Sequence, residues 1–88
     1  MAKCYVVQRE WRDCDGDEDR GVPHIFLQER QAKEKFSAVI GEIMTDWEEF
    51  DFNNLEINRN TTPPFFELYD KDTCEFDRVT ILERELIE

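Results

Sequence analysis

The sequence predicts a two-layer α+β domain, in which one amphipathic helix packs on an antiparallel sheet in the order β-β-α-(β)-β-β. The helix is predicted because apolar residues recur in steps of three and four across residues 29–50, the spacing of one helix face. The sheet is predicted because short runs rich in β-branched and aromatic residues lie on both sides of that segment. With 88 residues, the chain is expected to form a single domain over residues 1–88.

The segment before the helix predicts two strands joined by a long hairpin loop. Residues 5–11 are rich in residues that favour strands, and residues 24–27 form a second short run that leads into the helix. Between them, residues 13–21 contain an Asp-Gly pair and a second glycine among many acidic side chains. This composition is typical of a solvated turn.

The helix has a clear division between an apolar stripe and an acidic side. The stripe contains Ala32, Phe36, Val39, Ile40, Ile43, Met44, Trp47 and Phe50. The opposite side contains Glu34, Glu42, Thr45, Glu48 and Glu49, with Asp46 at its flank. A stripe with several aromatic residues must be covered, so we expect Phe36, Ile40, Ile43 and Trp47 to be buried against the sheet.

The segment after the helix predicts one weak and two strong strands. Residues 55–59 alternate in polarity and form the weak candidate, which is why its symbol stands in parentheses. The two prolines in residues 60–64 favour an irregular connection. Residues 65–69 and 78–82 then predict an antiparallel pair joined by a turn at residues 70–73, and residues 83–88 either extend the last strand or fray.

The net charge of −11 restricts the class of partner. It disfavours direct binding to nucleic acid or to an anionic membrane, because both depend on lysine and arginine. A basic protein is the partner that this charge favours. Most of the excess lies in residues 36–88, which hold fourteen acidic and four basic side chains, and residues 36–58 contain no lysine or arginine.

The helix also carries its charges against its dipole. Basic residues occupy its first turns, and acidic residues crowd its last turn, where cations are preferred. The acidic group consists of Asp46, Glu48, Glu49 and Asp51. A local rule broken without visible structural gain often marks a functional surface, although a general acidic bias of the chain is the alternative explanation.

Motifs for metal binding and catalysis are missing from the sequence. The acidic loop fails the EF-hand pattern, because Glu18 or Arg20 stands where glycine is required. The three cysteines include no C-x-x-C pair, and the chain has a single histidine. No nucleophile, phosphate-binding or zinc-protease motif occurs. We therefore expect a protein that is not an enzyme, with no cofactor or metal.

The sequence shows neither a signal-peptide pattern nor a run of about 18 apolar residues that would span a membrane. The expected location is the cytoplasm, where the cysteines remain reduced thiols.

In its small size, acidity, lack of catalytic motifs and β-β-α-β-β order, the chain resembles phage-encoded anti-defence proteins, anti-CRISPRs among them. It is similar in the same way to the small acidic immunity proteins that block basic nucleases. Residues 4–8 and 31–36 also resemble segments of small bacterial and phage proteins whose activity is not established. The likeness extends over the whole chain without a shared motif, so no functional residue is carried over from it.

These observations predict an acidic inhibitor that occupies the basic nucleic-acid-binding surface of a partner protein. The residues predicted to bind the partner are Glu42, Asp46, Glu48, Glu49, Asp51, Glu67, Asp70 and Asp72, and Glu75 and Asp77 belong to the same acidic hairpin. One alternative is a structural or regulatory homodimer in which the charge serves only solubility. Another is a small-ligand protein with a pocket between helix and sheet.

Overall fold

The computed structural model describes residues 3–50 and 52–85, in which one helix packs against a six-stranded antiparallel sheet. The elements are β1 (Lys3–Arg12), β2 (Glu18–Arg20), β3 (His24–Phe26), α1 (Glu29–Asp46), a 3₁₀ turn (Phe52–Asn54), β4 (Leu55–Thr61), β5 (Pro64–Asp70) and β6 (Phe76–Glu85). The predicted α+β class is confirmed. Asp51 and residues 86–88 lie outside the described residues. Within the described ranges, no helix has the length and apolar character needed to cross a membrane.

The two longest strands, β1 and β6, form the centre of the sheet. They pair over ten positions, from Lys3 opposite Glu85 to Arg12 opposite Phe76. The strand order is β2-β1-β6-β5-β4. Strand β3 pairs with the same edge of β1 as β2 does, but with residues 5–7, whereas β2 pairs with residues 10–12. The predicted hairpin of residues 65–69 and 78–82 is confirmed as the pairing of β5 with β6.

The core lies between α1 and the central strands. The helix packs on β1, β3 and β6, and its residues Ala32, Val39 and Ile43 are buried against Val7 and Val79. Such a core forms because alternate residues of paired strands point to the same face of a sheet.

The structure confirms most of the predicted apolar stripe. Ile43 is fully buried and Trp47 is 6% exposed, whereas Phe36 and Ile40 are half-buried at the edge of the core. Met44 and Phe50 are more than a third exposed, so they mark the limit of the stripe.

The predicted element boundaries need three corrections. Helix α1 ends at Asp46 rather than at residue 50, because the amide of Glu48 bonds three residues back to Thr45 and the chain leaves the helix. Strand β2 lies within the predicted loop, since Glu18–Arg20 pairs with the end of β1. Strand β4 is confirmed and extends to Thr61, so the irregular connection to β5 is only two residues long.

Candidate functional site

The loop between β1 and β2 is organised by the carboxylate of Asp13. Its Oδ1 atom accepts hydrogen bonds from the backbone amides of Asp15 and Asp17, both at 3.0 Å. Gly16 allows the sharp reversal because it adopts a φ of +86°, which favours glycine. Asp13 thus satisfies two amides of the loop. The side chains of Asp15 and Asp17 are exposed to solvent.

The turn between β5 and β6 repeats this arrangement around Asp70. Its Oδ1 atom accepts hydrogen bonds from the amides of Asp72 and Thr73, at 2.9 and 3.4 Å. Asp70 is only 8% exposed, so it stabilises the turn from within. Asp72 is exposed and Glu75 is half-buried at the other side of the turn.

The sheet register brings these two loops to the same end of the molecule. Phe76 pairs with both Arg12 and Tyr69, so the residues that follow β1 and β5 emerge side by side. The end of α1 joins them, because the indole Nε1 of Trp47 donates a hydrogen bond to Asp77 on β6 at 3.2 Å. Loops distant in sequence therefore meet at one end.

We call the acidic side chains at this end the acidic pole. It consists of Asp13, Asp15, Asp17, Glu48, Glu49, Asp70, Asp72 and Glu75. Lys71 is the one basic residue in these loops, and it lies 4.0 Å from Glu56. Apart from Asp13 and Asp70, the carboxylates of the pole have no hydrogen bond or ion pair within the described part of the chain. Six negative charges thus converge without an internal partner.

A buried ion-pair cluster lies beneath the acidic pole. Asp77 is 3% exposed and accepts two hydrogen bonds from Arg9, at 2.9 Å from Nε and 2.6 Å from Nη2. This two-point contact is the strong form of an arginine–carboxylate pair. The hydrogen bond to Asp77 is the main cause that raises the pKa of Arg9, so Arg9 stays charged.

The same arginine explains part of the unusual charge distribution of the helix. Asp46 lies 2.7 Å from Nη2 of Arg9, and Glu42 lies 3.9 Å from Nη1. The acidic side chains in this part of α1 therefore have a structural partner on β1. This corrects the expectation that the acidic residues at this end of the helix bring no structural gain. Glu48 and Glu49 have no such partner in residues 3–50 and 52–85.

A shallow cleft of about 400 Å³ separates the loops of the pole. Its walls include the rings of Trp11, Trp47 and Phe50, and the carboxylates of Asp13 and Glu75 lie at its border. The rings of Trp47 and Phe50 pack with their centroids 4.6 Å apart. Arg9 and Arg12 also line the cleft, and the guanidinium of Arg9 lies 5.8 Å from the ring centre of Trp11, so the cleft combines aromatic rings with charges of both signs.

The residues predicted from sequence to bind a partner are divided by the structure. Five of them lie at the end of the molecule that carries the pole, namely Asp46, Glu48, Glu49, Asp70 and Asp72. Glu42 lies one helical turn before Asp46. Asp70 is buried in its turn, and Asp77 is buried with Arg9. Glu67 lies on the helix-free face of the sheet, where Arg78 and Asn58 contact it at 3.5 and 3.1 Å. Asp51 lies outside the described residues.

Three acidic residues of the pole, Asp13, Asp15 and Asp17, are missing from the predicted set. The sequence signal for them is the density of aspartate around Gly16, which indicates a solvated turn and not a neighbour of the helix end. Only the pairing of β1 with β6 shows that this loop and the turn of Asp72 are adjacent.

No protein-family model matches this chain, and no curated protein or solved structure matches it. In the described part of the chain, no three His, Cys, Asp or Glu side chains are grouped so as to hold a metal ion. The three cysteines, Cys4, Cys14 and Cys74, are free thiols. Function is therefore inferred from the charges and surfaces of the chain itself.

Proposed function

We propose that the protein is a non-enzymatic inhibitor that docks its acidic pole on the basic nucleic-acid-binding surface of a partner protein. The observation that supports this most is that six carboxylates from three loops lie at one end and have no partner among residues 3–50 and 52–85. Carboxylates held there present negative charge to a surface that otherwise binds phosphates. The rigid sheet and the Asp13 and Asp70 turns hold two of the three loops in place, which lowers the entropic cost of binding.

The test uses two variants matched in charge. Glu48→Lys with Glu49→Lys changes two residues of the acidic pole, and Glu34→Lys with Glu85→Lys changes two exposed carboxylates outside it that also have no described partner. Each pair changes the net charge by the same amount. The three proteins are immobilised and exposed to cell lysate, and bound proteins are identified at low and high salt and with heparin as a competing polyanion.

We expect the wild type and the Glu34/Glu85 variant to capture the same basic nucleic-acid-binding protein. Heparin and high salt are expected to release that protein. The Glu48/Glu49 variant is expected to lose it. Equal capture by both variants would show that the pole is not the interface. A captured protein that is insensitive to salt and heparin would exclude the proposed mode of binding.

A second candidate function, the homodimer, is favoured by the helix-free face of the sheet. Ile25 on β3, Val6 on β1 and Leu82 on β6 form one row across this face, since Val6 pairs with both others. Ile25 is 65% exposed and Leu82 is 38% exposed. Sedimentation equilibrium of the wild type and of Leu82→Lys distinguishes the two functions, because a dimer through this face requires the apolar row.

A further inference from the structure

A groove beside the helix differs in charge from the rest of the protein. Helix α1 packs over β1, β3 and β6, which leaves space between the helix and strands β4 and β5. The groove has a volume of about 620 Å³, within the range of small-molecule sites. Phe36 and Ile40 line it from the helix, and Phe66 lines it from β5. It lies beside the first half of α1 and the β4–β5 turn, at the end opposite the acidic pole.

The charge of the groove is opposite to that of the whole molecule. None of the residues that line it is acidic, although a quarter of the chain is aspartate or glutamate. Its charged residues are Lys33 and Arg59. Lys33 is paired with Glu29 at 3.0 Å, and both side chains are more than half exposed, so water weakens that pair.

Arg59 has no carboxylate partner in the described part of the chain. Its guanidinium carbon lies 5.4 Å from the ring centre of Phe66, over the apolar lining of the groove. This stacking orients the guanidinium and leaves its N–H donors free. Arg20, Arg30 and Arg84 also lack an ion pair in the described part of the chain, so what distinguishes Arg59 is its position over the apolar lining of the groove.

We propose that this groove binds a small amphiphilic carboxylate, such as a medium-chain fatty acid. The aliphatic chain lies against Phe36, Ile40 and Phe66, and the carboxylate accepts hydrogen bonds from Arg59. A single planar guanidinium matches a single carboxylate, because its paired donors fit the two oxygens. Apolar surface with one cationic contact is the arrangement that holds such a ligand in one orientation. This site is separate from the acidic pole and does not depend on the inhibitor function.

The first test is a titration of the isotope-labelled protein with decanoate, followed by amide chemical shifts, with decanol as the uncharged counterpart. Decanoate is expected to cause saturable shifts at residues of α1, β4 and β5 that line the groove. Decanol is expected to bind about tenfold more weakly, because it lacks the charge-assisted hydrogen bond. Shifts that do not saturate, or that map to the helix-free face, would overturn the proposal.

The second test uses variants of the groove. Arg59→Gln is expected to reduce decanoate affinity about tenfold and to leave decanol binding unchanged. Arg84→Gln removes another arginine without a described partner and is expected to bind like the wild type. Ser37→Trp, at an exposed helix position on the groove, is expected to fill it and abolish binding of both ligands. If Arg59→Gln does not fold, Ser37→Trp decides; unchanged binding by that variant contradicts the site.

Discussion

At the scale of single residues, Arg9 connects the helix, the sheet and the acidic pole. Its guanidinium contacts Asp77, Asp46 and Glu42, and it also lies 5.8 Å from the ring centre of Trp11. The side chain of Asp77 is 5% exposed, so Arg9 replaces the water that burial removes from it, whereas the side chain of Asp46 is 59% exposed. The contribution of this cluster to the free energy of unfolding therefore comes mainly from the buried pair of Arg9 and Asp77.

We predict that Arg9→Met lowers the free energy of unfolding by about 3 kcal/mol, because it leaves a buried carboxylate without its partner. Arg20→Met is the control, since Arg20 is exposed and forms no ion pair in the described chain; it is expected to change stability by less than about 0.5 kcal/mol. Urea unfolding followed by tryptophan fluorescence measures both. A loss below about 1 kcal/mol for Arg9→Met would mean that Asp77 is stabilised by Trp47 and the backbone instead.

Ile43 is the largest fully buried side chain of the apolar stripe. It is fully buried in the core between α1 and the sheet. Ile43→Ala is expected to cost about 2–5 kcal/mol through lost burial and the cavity that remains. Met44→Ala, next in the chain and 37% exposed, is expected to cost much less. Similar losses for the two variants would contradict the assignment of the buried face.

At the scale of elements, the parts that sequence predicts well are those with local periodicity. The helix and the β5–β6 hairpin follow from spacing within one segment. Strand β2 does not, because the only support for Glu18–Arg20 as a strand is its pairing with the end of β1. The apolar spacing predicts a later end for α1 than the structure has, because Phe50 continues the spacing but packs on Trp47 outside the helix.

Two glycines provide a matched prediction for local structure. Gly41 lies in the exposed part of α1, and an added Cβ would meet no atom within 4 Å. It is therefore tolerated rather than required, and Gly41→Ala is expected to raise stability by about 0.5–1 kcal/mol. Gly16→Ala is expected to lower stability by about 1 kcal/mol, because its φ of +86° disfavours other residues. Thermal unfolding of both variants checks the signs, and a loss for Gly41→Ala would contradict the open environment.

At the scale of the whole molecule, the acidic pole and the groove that contains Arg59 lie towards opposite ends. The acidic pole gathers the β1–β2 loop, the helix end and the β5–β6 turn, whereas the groove beside Arg59 has no acidic lining. Sequence alone could predict an acidic helix and an acidic hairpin, since each is local. It could not predict the pole, because its loops become neighbours only through the register of β1, β6 and β5.

The acidic pole should also affect stability through repulsion among its own carboxylates. At low salt the charges of Glu48, Glu49 and their neighbours repel one another, and salt screens that repulsion once the Debye length falls below their spacing. We predict that the melting temperature of the wild type rises by a few degrees between about 0.02 and about 0.5 M NaCl, equivalent to about 0.5–1 kcal/mol.

The two charge-matched variants locate the source of that repulsion. Glu48→Lys with Glu49→Lys is expected to be more stable than the wild type at low salt and to gain little from added salt, since both changes reduce repulsion and suit the helix dipole. Glu34→Lys with Glu85→Lys is expected to keep most of the salt gain, because those residues lie outside the pole. Calorimetry at each salt concentration measures the difference. Equal salt dependence in the two variants would show that the repulsion is spread over the whole surface, and the pole would then have no distinct electrostatic character.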